Sequence, residues 1–253
     1  MRKTVTIDYL PERAAFYRRG WAVVVVDVIR ATTSAVTLAA MGRKCYPVGT
    51  LPAAFELASS LPNPLLVGEL KGDMPEGFDM NNSPADLAAL TNRERPIVLL
   101  STSGTKVIHE ARAADAIYVS CFRNFTATTQ YLAGRHTRIA VIGAGSRGEF
   151  REEDQMGCAW VAQQLLEAGY HANENTRSII EQWRNAPPEA CANGNSAAYL
   201  RRTNQERDLD FILQRIDDID QAFVLKNNVV ERADAPAPLP IPMFGSAVYT
   251  YGG

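Results

Sequence analysis

Acids, arginines and hydroxyls fall together at five places where an apolar run gives way to polar sequence. The first is Asp27-Val28-Ile29-Arg30-Ala31-Thr32-Thr33-Ser34. A carboxylate at the end of so apolar a run needs a partner or a metal if it is buried. Arg30 has the fork that grips a phosphate or sulfonate, and Thr32, Thr33 and the amides of a following helix suit the rest of an anion cradle. A purely structural alternative pairs Asp27 with Arg30 and makes Ser34 a helix cap.

The second place runs from Gly68-Glu69-Leu70-Lys71-Gly72-Asp73 to Gly77-Phe78-Asp79-Met80-Asn81-Asn82-Ser83-Pro84. Glu69, like Asp27, is a hard oxygen ligand of the kind Mg²⁺ takes. Ser83-Pro84-Ala85-Asp86 also reads as a capping box with proline at the first helical position. The third, Ser101-Thr102-Ser103-Gly104-Thr105, offers hydroxyls and amides to phosphate oxygens. Ser/Thr turns cap many helices, so this loop alone is only moderately specific. At the fourth, Ser120-Cys121-Phe122-Arg123-Asn124, Arg123 is either a second anion contact or a solvated charge. At the fifth, Gly143-Ala144-Gly145, Gly145 permits close approach to an oxyanion, while Glu153 and Asp154 follow within reach of a metal.

The elements that must position these groups alternate strand-like and helix-like from Trp21 to about Gly169, the pattern of a mostly parallel sheet between helices. Trp21 to Ile29 (WAVVVVDVI) is apolar without alternation, as in a strand covered on both faces. A helix from Ser34 to Met41 follows. Shorter strands are predicted at 44–48, 64–68, 97–101, 116–121 and 138–143. Cys158, Val161, Ala162 and Leu165 recur at helical spacing between Asp154 and Ala168, with Gly169 as the stop. Residues 170–204 read as an irregular helical or loop insertion, a cap or lid. A helix carrying Leu209, Ile212, Leu213 and Ile216 comes next, then a hairpin turning at Asn227-Asn228. The proline-rich tail, Ala235 to Pro242, reads as extended and able to reach a neighbouring subunit. In an open α/β sheet ligands bind beyond the carboxyl ends of strands, and all five polar junctions lie there.

The chain has 253 residues, 46% hydrophobic and 21% charged, enough for one α/β domain, built as a single unit or as two fused lobes. A net charge of −2 leaves no electrostatic footprint for nucleic acid. Membrane spanning is not expected, since no uncharged stretch reaches the required length. Cys45, Cys121, Cys158 and Cys191 lack C-x-x-C spacing and read as buried free thiols in a reducing cytosol. His109, His136 and His171 show no zinc spacing. The apolar surface expected of such a sheet suits a homodimer.

Gly143-Ala144-Gly145-Ser146-Arg147-Gly148 matches G-x-G-x-x-G, which raises a dinucleotide-dependent oxidoreductase as an alternative. Against it, the helix starts late. Glu149, Glu152, Glu153 and Asp154 also crowd the place where a pyrophosphate would sit. A non-catalytic binder of phosphorylated acids is a third reading, and no Walker loop is present.

Taken in order, VVVVDVIRATTSAVTLAAMG, VGELKGDMPEGFDMNNSP, LLSTSGTKVI, SCFRNFTA, VIGAGSRGEFREEDQMG and ERDLDFILQRID resemble the 2-phosphosulfolactate phosphatase family of coenzyme M biosynthesis, from about Val23 to Val230. The resemblance implies a three-layer α/β/α fold and a Mg²⁺-dependent, cytoplasmic phosphoric monoester hydrolase acting on a small phosphorylated acid. On that basis Asp27, Glu69 and Asp154 are the expected metal ligands, and Asp27, Arg30, Glu69 and Asp154 the catalytic set. Thr32, Thr33, Asn82, Ser83, Ser101, Thr102, Gly104, Thr105 and Gly145 are expected around the substrate, with Arg123 and Asn124 on its acid end. The chain departs from the family pattern at Leu70, Asn81 and Ser103, where arginine, glycine and asparagine are common. Loss of a cation at position 70 is expected to alter anion preference.

Overall fold

The computed structural model describes residues 2–146 and 148–234. Nine strands are described: β1 (Thr4–Tyr9), β2 (Ala22–Val26), β3 (Cys45–Val48), β4 (Leu65–Gly68), β5 (Ile97–Leu100), β6 (Ala116–Ser120), β7 (Arg138–Gly143), β8 (Phe223–Lys226) and β9 (Val229–Arg232). They form one sheet in the order β1-β7-β2-β6-β8-β9-β3-β5-β4. Strands β1, β7, β2 and β6 are mutually parallel, as are β3, β5 and β4. The β8/β9 hairpin joins the two sets through antiparallel pairings on both sides and within itself. Strand direction therefore reverses three times between β6 and β3, and the two parallel sets run in opposite senses along the ladder.

The carboxyl ends of the two sets nevertheless contribute residues to one pocket. Helices α2 (Ala31–Ala40) and α5 (Gly104–Glu110) pack against both sets, with Val36, Leu38, Val107 and Ile108 in one core with residues such as Val25 and Leu99. On the outer face of the first set, α6 (Phe125–Leu132), α7 (Glu152–Glu167) and α8 (Glu174–Trp183) cover Val24, Val26 and Val141. Helix α3 (Leu51–Ser60) covers Val98 and Leu100 on the outer face of the second. The result is the expected three-layer α/β/α arrangement on a mostly parallel sheet. Strand β2 is buried along its whole length, as its unbroken valine run requires.

Three departures from the sequence reading have local causes. Strand β1 and the short helix α1 (Pro11–Ala14) precede the first predicted strand. β1 is an edge strand with only Val5 and Ile7 buried, so its apolar signal is thin. Helix α2 begins at Ala31, not Ser34, because Thr32 closes the turn onto the Asp27 carbonyl. Ser34 is thus no cap; its hydroxyl donates to the Asn82 carbonyl at 2.6 Å. Between 170 and 204 stand α8, a 3-10 turn (Pro188–Cys191) and α9 (Asn195–Arg202), more regular than predicted.

Helix α4 (Pro84–Ala88) starts at the predicted cap, with Ser83 Oγ accepting from the Asp86 N–H. Helix α10 (Glu206–Leu213) stands on the predicted 209–216 face. The hairpin turns at Asn227 and Asn228, both at positive φ. All four cysteines are free and buried. Among the described residues no helix is long and apolar enough to cross a membrane. The tail expected to be extended, 235–242, lies outside the described residues.

Candidate active site

A pocket of about 920 Å³ opens where the carboxyl ends of β2, β4, β5 and β7 face α9. It gathers Asp27, Arg30, Glu69, Asn82, Thr102, Gly145 and Asp154 from four separate segments of the chain.

Asp27 follows the last residue of β2, where Thr32 both accepts from its N–H and donates to its carbonyl, each at 2.8 Å. One carboxylate oxygen accepts from the Ala31 N–H at 3.2 Å. The other lies against Gly104, where any Cβ would collide with it. Gly104 is therefore required for the approach of α5. Burial, aided by the negative charges of Glu69 and Glu153 and opposed by the Ala31 and Gly104 amides, pushes the Asp27 carboxyl up to about 7.

Glu69 and Asp154 are held differently. Glu69 accepts from the Thr102 N–H at 2.6 Å, the Thr102 hydroxyl at 2.8 Å and the Gly72 N–H at 2.7 Å, tying the β4 loop to the β5 loop. Asp154 accepts from Val28 N–H at 2.8 Å and Gly145 N–H at 3.0 Å, clasping β2 to β7. Burial and the neighbouring Asp27 and Glu153 raise its carboxyl well above the usual range. Glu153 is 1% exposed, lines the same pocket and keeps Oε2 without a hydrogen-bond partner. Its carboxyl is also raised, chiefly by burial. Among the described residues no three His, Cys, Asp or Glu side chains converge tightly enough to form a ready-made metal cage.

Arg30 does not pair with Asp27. Its guanidinium reaches Asp208 at 2.6 Å, Gln205 at 2.5 Å and Asn81 at 3.0 Å. Asp208 also accepts from the Ser83 hydroxyl at 2.5 Å, so Ser83 joins this buried network while capping α4. Asp208 escaped the sequence reading because ERDLDFIL looks like an ordinary amphipathic helix.

Several expected contacts lie beside or beneath the pocket instead of lining it. Thr32 and Thr33 are fully buried, their hydroxyls donating to the Asp27 and Val28 carbonyls. Ser101 and Thr105 bond to each other across the start of α5. Arg123 and Asn124 lie outside the pocket, contrary to the role expected for them. Arg123 is bidentate to Asp218 at 2.8 and 2.7 Å and donates to Thr37 at 2.8 Å. Asn124 is wholly buried, bonding to Cys121, Val119, Thr128 and Gln221.

The glycine motif has another explanation too. Gly143 leaves room for the Phe150 ring, and Gly145, at φ 59, directs its amide to Asp154. Helix α7 starts only at Glu152. The amide of the motif's second glycine, Gly145, is thus already occupied by a carboxylate.

A cleft of acids and cations at the strand ends of an α/β/α sheet places the chain among α/β proteins that bind and act on small molecules. Residues 8–228 match the family model for 2-phosphosulpholactate phosphatase. A probable 2-phosphosulfolactate phosphatase of Carboxydothermus hydrogenoformans is 34% identical over 170 residues, 66% of this chain and 71% of that one. Those of Deinococcus radiodurans and Thermotoga maritima are 31% and 32% identical, over 75% and 74% of this chain and 82% of each relative. The chain belongs to the 2-phosphosulfolactate phosphatase family, a family of phosphoric monoester hydrolases.

Proposed function

We propose that the pocket hydrolyses, with Mg²⁺, the phosphate ester of a small acid bearing a sulfonate or carboxylate, 2-phosphosulfolactate being the substrate its relatives' names indicate. One observation carries the metal dependence: Asp27, Glu69, Glu153 and Asp154 share the pocket, burial raises three of them, and repulsion within the set adds to the rise of Asp27 and Asp154. A phosphate dianion is repelled by such a site unless a cation lies between. Mg²⁺ binds through one or two carboxylates plus substrate phosphate and water, so an all-protein cage is not needed. Bound Mg²⁺ supplies Lewis-acid polarisation of a phosphate oxygen and a water of lowered pKa.

Asp27, Glu69 and Asp154 each keep a carboxylate lone pair beside their amide bonds, and Glu153 keeps Oε2 without a partner, so all four acids can contribute to holding it. Glu153 thereby joins the expected ligand set of Asp27, Glu69 and Asp154. Glu69 and Asp154 also fix the loops that carry Thr102 and Gly145. Arg30, immobilised by Asp208, sets a fixed positive charge beside the phosphoryl position.

The test is release of inorganic phosphate from 2-phosphosulfolactate and 2-phospholactate with and without Mg²⁺. Turnover is expected to vanish in EDTA and to fall at least about a hundredfold in Asp27→Asn, in line with loss of a charged catalytic group. Full activity in EDTA would remove the metal, and full activity in Asp27→Asn would remove that carboxylate. A trapped phosphoenzyme at Asp27 would make it the nucleophile in place of a ligand.

A further inference from the structure

With Arg123 and Asn124 outside the pocket, the acid end of the substrate needs another partner. Lys71 and Arg202 line the pocket, and neither forms an ion pair among the described residues. They come from the β4 loop and the last turn of α9, 131 positions apart, which no sequence pattern connects.

Tyr199 joins them. Its hydroxyl donates to the Gly72 carbonyl at 2.9 Å. The phenol lies so close that a Cβ on Gly72 would overlap its oxygen, which makes glycine obligatory there. Lys71, next in the chain, is held at φ 57 with its N–H bonded to Thr102 Oγ1 at 2.6 Å. Arg202 lies over the same Tyr199 ring, 5.6 Å from its centroid. One phenol therefore fixes the backbone beneath one cation and supports the other from its face. The turn is locked on its far side as well, because the Gly72 N–H donates to Glu69.

We propose that Lys71 and Arg202 form the subsite for the second anionic group of the substrate, a sulfonate or carboxylate, and that Tyr199 is the positioning residue that sets it. This rests on the phosphatase reading above and names the specificity determinant of that same pocket. Arg202 offers two parallel N–H donors to two oxygens of a planar carboxylate or a sulfonate, and Lys71 a compact charge that both groups accept.

The experiment compares 2-phospholactate with isopropyl phosphate, in which a methyl group replaces the carboxylate, in the wild-type protein and in Lys71→Met, Arg202→Met and Tyr199→Phe. The kcat/KM preference for the acid-bearing ester is expected to fall at least tenfold in each methionine variant, through KM, and severalfold in Tyr199→Phe. Sulfoacetate titrated calorimetrically gives an independent readout. It should bind the wild-type protein saturably and Lys71→Met at least tenfold more weakly. Phosphate release with an unchanged preference and unchanged sulfoacetate binding in both methionine variants would overturn the subsite. Sulfoacetate binding lost in the variants while the wild-type protein releases no phosphate from 2-phosphosulfolactate or either ester would sustain the subsite and sink the phosphatase reading. Circular dichroism of each variant separates unfolding from loss of recognition, and Lys71→Arg should restore most of the preference.

Discussion

Arg30 and Asp208 form a buried ion pair, 2.6 Å apart and 178 positions distant in the sequence, that joins the turn after β2 to α10. Asp208 also accepts from the Ser83 hydroxyl and the Ala85 N–H, so one carboxylate holds the pocket-lining Arg30 and the start of α4 together. Removing one partner of a buried pair leaves an uncompensated charge, at a cost of about 3–5 kcal/mol. Asp208→Ala is expected to lose stability on that scale in urea denaturation and to lose phosphatase activity. The double variant Arg30→Met/Asp208→Leu should regain part of the stability, as the stranded charge is gone, and none of the activity. Equal stability of Asp208→Ala and the wild-type protein would show that the pair is dispensable.

Glu69 bridges the loops after β4 and β5, beside the bond from the Lys71 N–H to Thr102 Oγ1. Its oxygens accept from Gly72 on one loop and from Thr102 on the other. Hydrogen bonds to a charged acceptor contribute about 1.5–3 kcal/mol each. In Glu69→Gln the side-chain amide presents a donor to one of these donors. Faster hydrogen exchange at the Gly72 and Thr102 amides is therefore expected, by about tenfold or more for each 1.4 kcal/mol lost. Activity should fall with it. Unaltered exchange would mean that the loops hold themselves.

The sequence was most legible where a local rule has one solution. The valine run before Asp27 meant a doubly covered strand, Asn227-Asn228 meant a tight hairpin, and Ser83-Pro84 meant a helix start; each stands where predicted. The gathering of Asp27, Glu69, Thr102, Gly145 and Asp154 followed from the carboxyl-end rule, although the two parallel sets prove to run in opposite senses. What stayed hidden depends on distance in the chain. Nothing near Arg30 names Asp208, nothing near Lys71 names Tyr199, and a threonine hydroxyl looks alike whether it faces a ligand or closes its own turn. Glu153 and Asp154 are adjacent and chemically alike. Only their hydrogen bonds separate the clasp from the acid with a free oxygen.

Arg123 illustrates the opposite outcome, a cation at a strand's carboxyl end that serves the scaffold. Its bidentate bond to Asp218 and its bond to Thr37 pin the β6 loop to α2 and to the segment after α10. Arg123→Met should lower stability by about 1–3 kcal/mol, the scale for leaving hydrogen-bonding groups without their partner. KM for 2-phospholactate should stay within about twofold of wild type, far below the tenfold that removal of a substrate-binding charge produces. A large rise in KM without a fall in Tm would return Arg123 to the site.

The acid cluster makes stability depend on pH in an uncommon direction. Burial, with Glu69 and Glu153 alongside, holds the folded Asp27 carboxyl at about 7 against an ordinary value of 3.8. The folded chain thus binds more protons than the unfolded chain between those values, and the contribution of Asp27, full below the lower one, is lost as pH rises through the upper one. At most this amounts to roughly 4 kcal/mol, and less where neighbouring acids share the proton. Asp154 and Glu153 are raised too and act in the same sense. The Tm of the metal-free protein is accordingly expected to fall between pH 5 and pH 8 by a few degrees per kcal/mol lost. Asp27→Asn should flatten that slope, which separates this carboxyl from oppositely shifted acids such as Asp218. Because a cation competes with the proton for the same oxygens, Mg²⁺ should raise Tm more at pH 8 than at pH 5. A metal-free Tm that climbs over this range in the wild-type protein, with no change of slope in Asp27→Asn, would mean that Asp27 ionises freely and that its burial does not store the negative charge on which the metal proposal depends.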